Sequence, residues 1–348
     1  MVRAAQTGSM TTWHSNPAAR KTVWAAPDVG ARAFHETLPG YQPSPLVDLP
    51  DLAAELGVGR VLVKDESSRL GLPAFKVLGA SWACSRVLAE RPGSVLVTAT
   101  DGNHGRAVAR MATHLGTSAT IFVPAVMTEL AAAAIAGEGA EVVRTDGDYD
   151  QTVQTAAEYA AADPSRALVQ DTAWPGYEEV PGWIVEGYDT LLQEVDEQLG
   201  RTPDLVAVPV GVGSLAQAVV AHYRGGPTGT RVLSVEPDTA ACVLVSLAAG
   251  EPVSVPTAAT VMAGLNCGTV SSLAWPLLRA GCDAAVSVTD EDALRASAEL
   301  GALGVCSGPC GAATLAGVRA ALADPDRRAD LGLPEDAVVV LLSTEGAQ

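Results

Sequence analysis

Lysine is nearly absent from this chain. Of 22 basic residues in 348, only Lys21, Lys64 and Lys76 are lysines, so chemistry that needs a side-chain primary amine has three places to happen. Basic charge as a whole is in deficit: 22 Lys and Arg stand against 40 Asp and Glu, a net −18 at pH 7. That balance disfavours a nucleic-acid groove or an anionic membrane surface as partner and tolerates amines. No run of about 18 or more uncharged apolar residues occurs, and the first residues lack the charged-then-apolar pattern of a secretory signal. The expectation is a soluble cytoplasmic protein. Aromatic residues are few, at 4%. The six cysteines include no CxxC pair and no histidine at metal-ligand spacing, which points to reduced, buried thiols and no metal centre. Cys306 and Cys310, close in sequence, are the pair to watch.

What is present is a globular composition, 48% hydrophobic, with 34 glycines and 22 prolines spread as turn punctuation. At about 150 residues per domain the length predicts two domains. The first forty-odd residues are polar and proline-bearing and read as an arm with little regular structure. Beyond them, short apolar runs alternate with alanine-rich stretches of helical length. Strands are expected at 60–64, 94–98, 118–123, 141–144, 167–169, 205–209, 231–235, 284–288 and 338–342. Helices are expected at 52–56, 76–90, 104–115, 128–137, 149–162, 181–199, 214–223, 272–280, 290–303 and 312–322. Such alternation predicts an α/β protein with open, mostly parallel sheets covered by helices on both faces. Ligands of such sheets sit at strand carboxyl ends, so the turns there are the places to look.

Four such places stand out. The turn Thr100, Asp101, Gly102, Asn103, His104, Gly105 has glycines that let amides converge on an anion and polar side chains that can bond a ligand. Asp101 there is either a helix cap or a base. The turn Gly211, Val212, Gly213, Ser214, Leu215 opens a helix after a strand and outlines a phosphate cradle. No Lys or Arg lies between Arg201 and Arg224, so an anion held here meets amides and a hydroxyl. A dinucleotide site also uses such a turn, and Glu236 after the next strand could supply its acidic residue. Lys76 opens an apolar helix behind Phe75. Burial and a helix N-terminus both disfavour a charged amine, the form that Schiff-base chemistry cannot use; a lysine lying along apolar surface with its head in water is the plainer alternative. Lys64, beside Asp65 and Glu66, reads as a member of an ion pair. Finally, the strand at 338–342 ends in Ser343 and Thr344, hydroxyls placed to meet a ligand.

In order and spacing these features resemble the pyridoxal-phosphate enzymes of fold type II, the tryptophan synthase β and threonine dehydratase group. The lysine motif is similar at Lys64-Asp65-Glu66 through Ala74-Phe75-Lys76, the asparagine loop at 100–105, the phosphate loop at 211–215 and the final hydroxyl at Ser343 or Thr344. Within the group, Gln170-Asp171-Thr172-Ala173-Trp174 and Met262-Ala263-Gly264-Leu265-Asn266-Cys267-Gly268 resemble the diaminopropionate ammonia-lyases. Threonine dehydratases usually carry alanine or serine where this chain has Asp101.

The resemblance implies a cofactor, pyridoxal 5′-phosphate, in the cleft between a large part (1–75 and 173–348, with the arm 1–45) and a small part (76–172). It implies that Lys76 forms an aldimine and removes the α-proton from one face, with Asp101 as base on the other. Asp171 would join Asp101 at the substrate's second amine. Thr100, Gly102 and His104 would also meet the substrate. Phe75 and Asn103 would contact the cofactor, Asn103 at the phenolic oxygen. Gly211, Val212, Gly213, Ser214 and Leu215 would hold the phosphate, and Ser343 or Thr344 would face the pyridine nitrogen. The implied reaction is α,β-elimination of 2,3-diaminopropionate to pyruvate and ammonia by a homodimer acting on a small amino acid. Its rivals are a serine or threonine dehydratase, a β-replacement synthase, or a nucleotide-binding protein without covalent chemistry. One departure is visible: where relatives show Glu-Ser-Gly, this chain reads Cys306-Ser307-Gly308, which removes a carboxylate expected near the ring or the substrate.

Overall fold

The structure, a computed structural model, describes residues 12–21, 30–100, 102–225 and 229–347. Among them are eleven strands: β1 (Trp13–Ser15), β2 (Leu46–Asp48), β3 (Arg60–Asp65), β4 (Val95–Ala99), β5 (Ala119–Pro124), β6 (Glu141–Thr145), β7 (Arg166–Leu168), β8 (Leu205–Pro209), β9 (Arg231–Pro237), β10 (Ala284–Val288) and β11 (Val338–Ser343). They form a seven-stranded sheet in the order β1-β10-β9-β8-β11-β3-β2 and a four-stranded sheet in the order β6-β5-β4-β7. Every pairing is parallel except at the two edges of the larger sheet, where β1 meets β10 and β2 meets β3 antiparallel.

The larger sheet is apolar on both faces, as a parallel sheet under two helix layers must be. Along β11, Val338, Val340 and Leu342 pack into one core with helices Lys76–Glu90 and Glu179–Leu199. Val339 and Leu341 point to the other, with helix Pro309–Leu322. The smaller sheet ends in β6, where exposed Glu141 and Arg144 blunt an open edge.

Several expectations need correction. The arm is not bare: β1, a 3-10 turn at Pro17–Lys21 and helix Ala31–Glu36 occupy it, and β2 follows. Helices Cys242–Ala249 and Pro325–Leu331 were not expected. The first is apolar but for Ser246 and shows no amphipathic period to read.

Candidate active site

One cavity of about 710 Å³ opens at the carboxyl ends of β4, β8 and β11. Lys76, Phe75, Gly102, Asn103, His104 and Asp171 line it, together with Gly211, Val212, Gly213, Ser214, Leu215 and Thr344. Thr100 and Ser343 are not in its wall. Asp101 lies outside the described residues.

Lys76 is the first residue of helix Lys76–Glu90, and the segment before it is stitched to the end of β11. Phe75 N donates to Thr344 O at 3.1 Å and Gly346 N to Pro73 O at 2.9 Å, while Ala74 bridges Glu345. So anchored, Lys76 Nζ donates to Asp171 Oδ2 at 2.7 Å. The lysine side chain keeps 27% exposure toward the cavity and Asp171 keeps 11%. Burial works to raise the Asp171 carboxyl, but the Lys76 ammonium, then His104 and the bond from Lys76, outweigh it and hold it well below the usual range. The apolar niche expected for Lys76 therefore contains a charged partner from 95 residues away.

Asp171 is itself oriented by its neighbour. Gln170 Oε1 accepts from Thr98 Oγ1 and Ala99 N, each at 3.0 Å, and Gln170 Nε2 donates to Tyr149 Oη at 3.2 Å and Asp171 Oδ1 at 3.3 Å. His104 Nε2 lies 2.8 Å from Val169 O, so Nε2 carries the proton; its Nδ1 lies 4.0 Å from Asp171 Oδ2. Thr100 serves the turn instead: its hydroxyl accepts from Gly102 N at 2.9 Å and Gly105 N at 3.0 Å. A Cβ on Gly105 would stand 2.3 Å from Thr100 Cγ2, so only glycine closes this turn.

The second turn is built for close approach. Gly213 has φ of 101° and caps helix Ser214–Arg224. A Cβ on Gly211 would meet Cys267 Sγ at 3.0 Å and Gly264 O at 3.1 Å. Gln217 N donates to Gly213 O at 2.7 Å, so the amides at the start of the helix face the cavity, as helix N-termini do toward anions. Glu236, the acid a dinucleotide site would want, is spent elsewhere. It accepts from Val243 N and Leu244 N at 2.7 Å each, and burial pushes its carboxyl up to about 8.

Of the two terminal hydroxyls, Ser343 Oγ donates to Ser307 Oγ at 2.8 Å and only Thr344 reaches the cavity wall. Cys306 is exposed and Cys267 half-buried, so the thiols are not uniformly buried; Cys310 is buried at the cavity wall, and none of the six forms a disulfide. The carboxylate missing at Cys306 has a neighbour in kind: Glu345 lines the cavity and its Oε2 accepts from Asn103 Nδ2 at 3.3 Å. Sequence reasoning gave no role to Glu345, Tyr149, Gln170 or the wall at 259–261. Only the Gln170-Asp171 motif offered a signal for any of them.

Comparison with known proteins points one way. A model of the family "Pyridoxal-phosphate dependent enzyme" matches residues 37–345. The diaminopropionate ammonia-lyase of Escherichia coli (strain K12) is 38% identical over 348 residues, 91% of this chain and 87% of that relative. A biosynthetic L-threonine dehydratase of Mycobacterium leprae is 29% identical over 286 residues, 80% of this chain and 65% of that one. The crystal structure of the E. coli lyase in complex with an aminoacrylate-PLP azomethine reaction intermediate superposes with a TM-score of 0.88 at 37% identity, covering 96% of this chain and 93% of that one.

Proposed function

The chain belongs to the pyridoxal-phosphate dependent enzyme family and, within it, to the diaminopropionate ammonia-lyases, and we propose that it eliminates ammonia from 2,3-diaminopropionate to give aminoacrylate, which water hydrolyses to pyruvate and a second ammonia. Pyridoxal 5′-phosphate is the cofactor of this fold type II enzyme. The residues fit it: one accessible primary amine lines the same cavity as a glycine turn that a single Cβ would fill. When bound, the cofactor supplies the electron sink for a carbanion at the substrate's Cα.

The chain's own groups divide the remaining work. Lys76 would hold the cofactor through Nζ and would take up the substrate's Cα proton at the same atom. Asp101 takes it from the opposite face for the other enantiomer. Asp171, kept ionised beside Lys76, favours the protonated form of the substrate's β-amine, and an amine departs readily only when protonated. Gly211 through Leu215 would hold the phosphate, and Asn103, Phe75 and Thr344, with Ser343 behind it, would hold the rest of the cofactor, Thr344 offering it a neutral hydroxyl. Gly102 and His104 contact the substrate, with Thr100 shaping the turn that carries them.

The observation that carries this reading is the Asp171 carboxylate 2.7 Å from Lys76 in the cavity, where a neutral hydroxyl substrate would gain little from it. The division into a large part (1–75 and 173–348) and a small part (76–172), a homodimer and a cytoplasmic location belong to the same reading. No helix of the described residues is long and apolar enough to cross a membrane. A substrate panel tests the proposal. Keto-acid release should be most efficient from diaminopropionate, and greater efficiency on serine or threonine would replace this reading with a dehydratase.

A further inference from the structure

One charge in the cavity wall has no counterpart. Elsewhere in the interior, Glu66 and Glu194 are met by Arg69, Asp283 by Arg224, and Glu236 by two backbone amides. In the cavity wall the described acids are Asp171 and Glu345, and the described bases are Lys76 and His104. Asp171 is engaged on both oxygens, Oδ2 with Lys76 at 2.7 Å and Oδ1 with Gln170 Nε2 at 3.3 Å, and His104 stands 4.0 Å from the same Oδ2. Glu345 meets no cation within ion-pair distance among the described residues; its carboxylate accepts one bond, from the neutral amide of Asn103 at 3.3 Å. The backbone holds Glu345 in place just beyond β11, its carbonyl accepting from Gly308 N at 2.9 Å and a strand bridge tying it to Ala74 beside Lys76. A Cβ on Gly308 would stand 3.0 Å from Glu345 Cγ and 3.1 Å from Oε1, so glycine there leaves the room that this side chain occupies.

We propose that Glu345 is a specificity-determining residue that binds the substrate's second ammonium, so that the site takes an amino acid carrying a β-amine over one carrying a β-hydroxyl. Serine and 2,3-diaminopropionate share an α-amine and an α-carboxylate and differ only in the β substituent. A carboxylate beside the shared α-amine would help both alike; one beside the β position helps the diamine alone. Glu345 also repels the α-carboxylate, which turns the substrate so that its ammonium faces this wall. Asp171 already shares its charge with Lys76, whereas Glu345 has none to share and holds the ammonium from the moment of binding. An interaction made on binding and not strengthened in the transition state sets KM rather than kcat. The inference rests on the diaminopropionate reading for the identity of its ligand.

The experiment compares Glu345→Gln with the wild-type holoenzyme, since glutamine keeps an acceptor for Asn103 and removes only the charge. Its KM for L-diaminopropionate should rise about 10- to 100-fold, with kcat changed less than about threefold and kcat/KM for L-serine unchanged. Calorimetric titration of the holoenzyme with 1,2-diaminoethane and with ethanolamine reads the same preference without turnover. The wild type should bind the diamine about 10-fold or more tighter, and the preference should disappear in Glu345→Gln. Glu345→Leu, which also gives up the Asn103 bond, should lose it equally. Were Glu345 only a prop for Asn103, glutamine would leave the preference intact and leucine would lower activity on both substrates alike. That pattern overturns the proposal, as does a wild type that binds the two amines equally. A wild type no more efficient on diaminopropionate than on serine would remove the functional reading instead, and the diamine titration would still decide the role of Glu345.

Discussion

Two lysines in this molecule donate to a carboxylate at the same 2.7 Å, Lys64 to Glu194 and Lys76 to Asp171, and they do opposite things. Lys64 and Glu194 are both fully buried, and every donor and acceptor around them is used. Lys64 Nζ also bonds Ser44 O and Gln198 Oε1, each at 2.9 Å, while Glu194 accepts from both terminal nitrogens of Arg69 at 2.7 Å each. Glu66 completes the cluster by accepting from Arg69 at 2.5 Å and 2.8 Å. Lys64 thus belongs to an ion pair, as its sequence neighbours suggested, but its bonded partner comes from 130 residues away. Lys76 has a cavity in front of it, keeps 27% exposure and has a partner held by a second residue. Separation alone does not tell a structural pair from a working one; saturation and access do.

Breaking the pairs one at a time sharpens that contrast. Lys76→Ala should lower turnover about 10⁴-fold, since it removes both the cofactor's attachment point and a proton acceptor. Visible absorbance of the purified protein should vanish with it, and a variant that stays coloured and active would dissolve the distinction. Lys64→Met should act on the fold instead. Loss of one partner from a buried pair costs about 3 kcal/mol, the low end because Arg69 remains to neutralise Glu194. Urea denaturation should show the lower midpoint, with turnover per folded molecule little changed. Asp171→Asn should reduce turnover about 100-fold, with less effect on stability, because the neutral amide still accepts a bond but no longer favours a protonated leaving amine.

Acid should separate the pairs by cause. Burial works to raise the Glu194 carboxyl, but bonds and charge from Arg69 and Lys64 lower it from 4.5 to about 2. Its contribution to stability is therefore complete above about pH 4.5 and lost as the pH falls through about 2. Thermal melting across that window should show the loss, and Glu194→Gln should remove the dependence.

The smallest effect concerns one histidine, His222 of helix Ser214–Arg224, which bonds the long helix Glu179–Leu199 that also carries Glu194. His222 Nδ1 bonds Asp189 at 2.7 Å and Nε2 bonds Asp196 at 2.9 Å, so both nitrogens carry protons. Burial works to lower it, but the two carboxylates raise it to about 9. The sign is the reverse of the Glu194 case: its stabilisation is complete below about pH 6.5 and lost as the pH rises through about 9. His222→Gln should flatten the alkaline limb of the melting curve.

The parallel strands were legible because each is a short apolar run punctuated by turns, and the observed bounds fall within a residue or two of the expected ones. The edge strands β1 and β2 were not. Each has three residues and owes its extended form to the neighbour it pairs with rather than to its own pattern. The cavity divides similarly. Lys76 and the glycine turn announce themselves locally, because a cation opening an apolar helix and a Gly-x-Gly after a strand are unusual in place. Glu194, within a helix, and Glu345, just after β11, do not, since a glutamate looks the same in sequence whether its partner is water or a side chain far along the chain.

The stitching of Lys76 to β11 has a kinetic consequence. β11 lies between β3 and β8, so segments from near opposite ends of the described chain must meet before the two halves of the larger sheet can join. Closing so wide a loop is slow relative to forming neighbouring hairpins and helices. The smaller sheet, built from consecutive segments, can assemble early. The seat of Lys76, fastened by Thr344 and Gly346, would then be among the last features to form during refolding. Recovery of cofactor capture should lag behind recovery of helical signal.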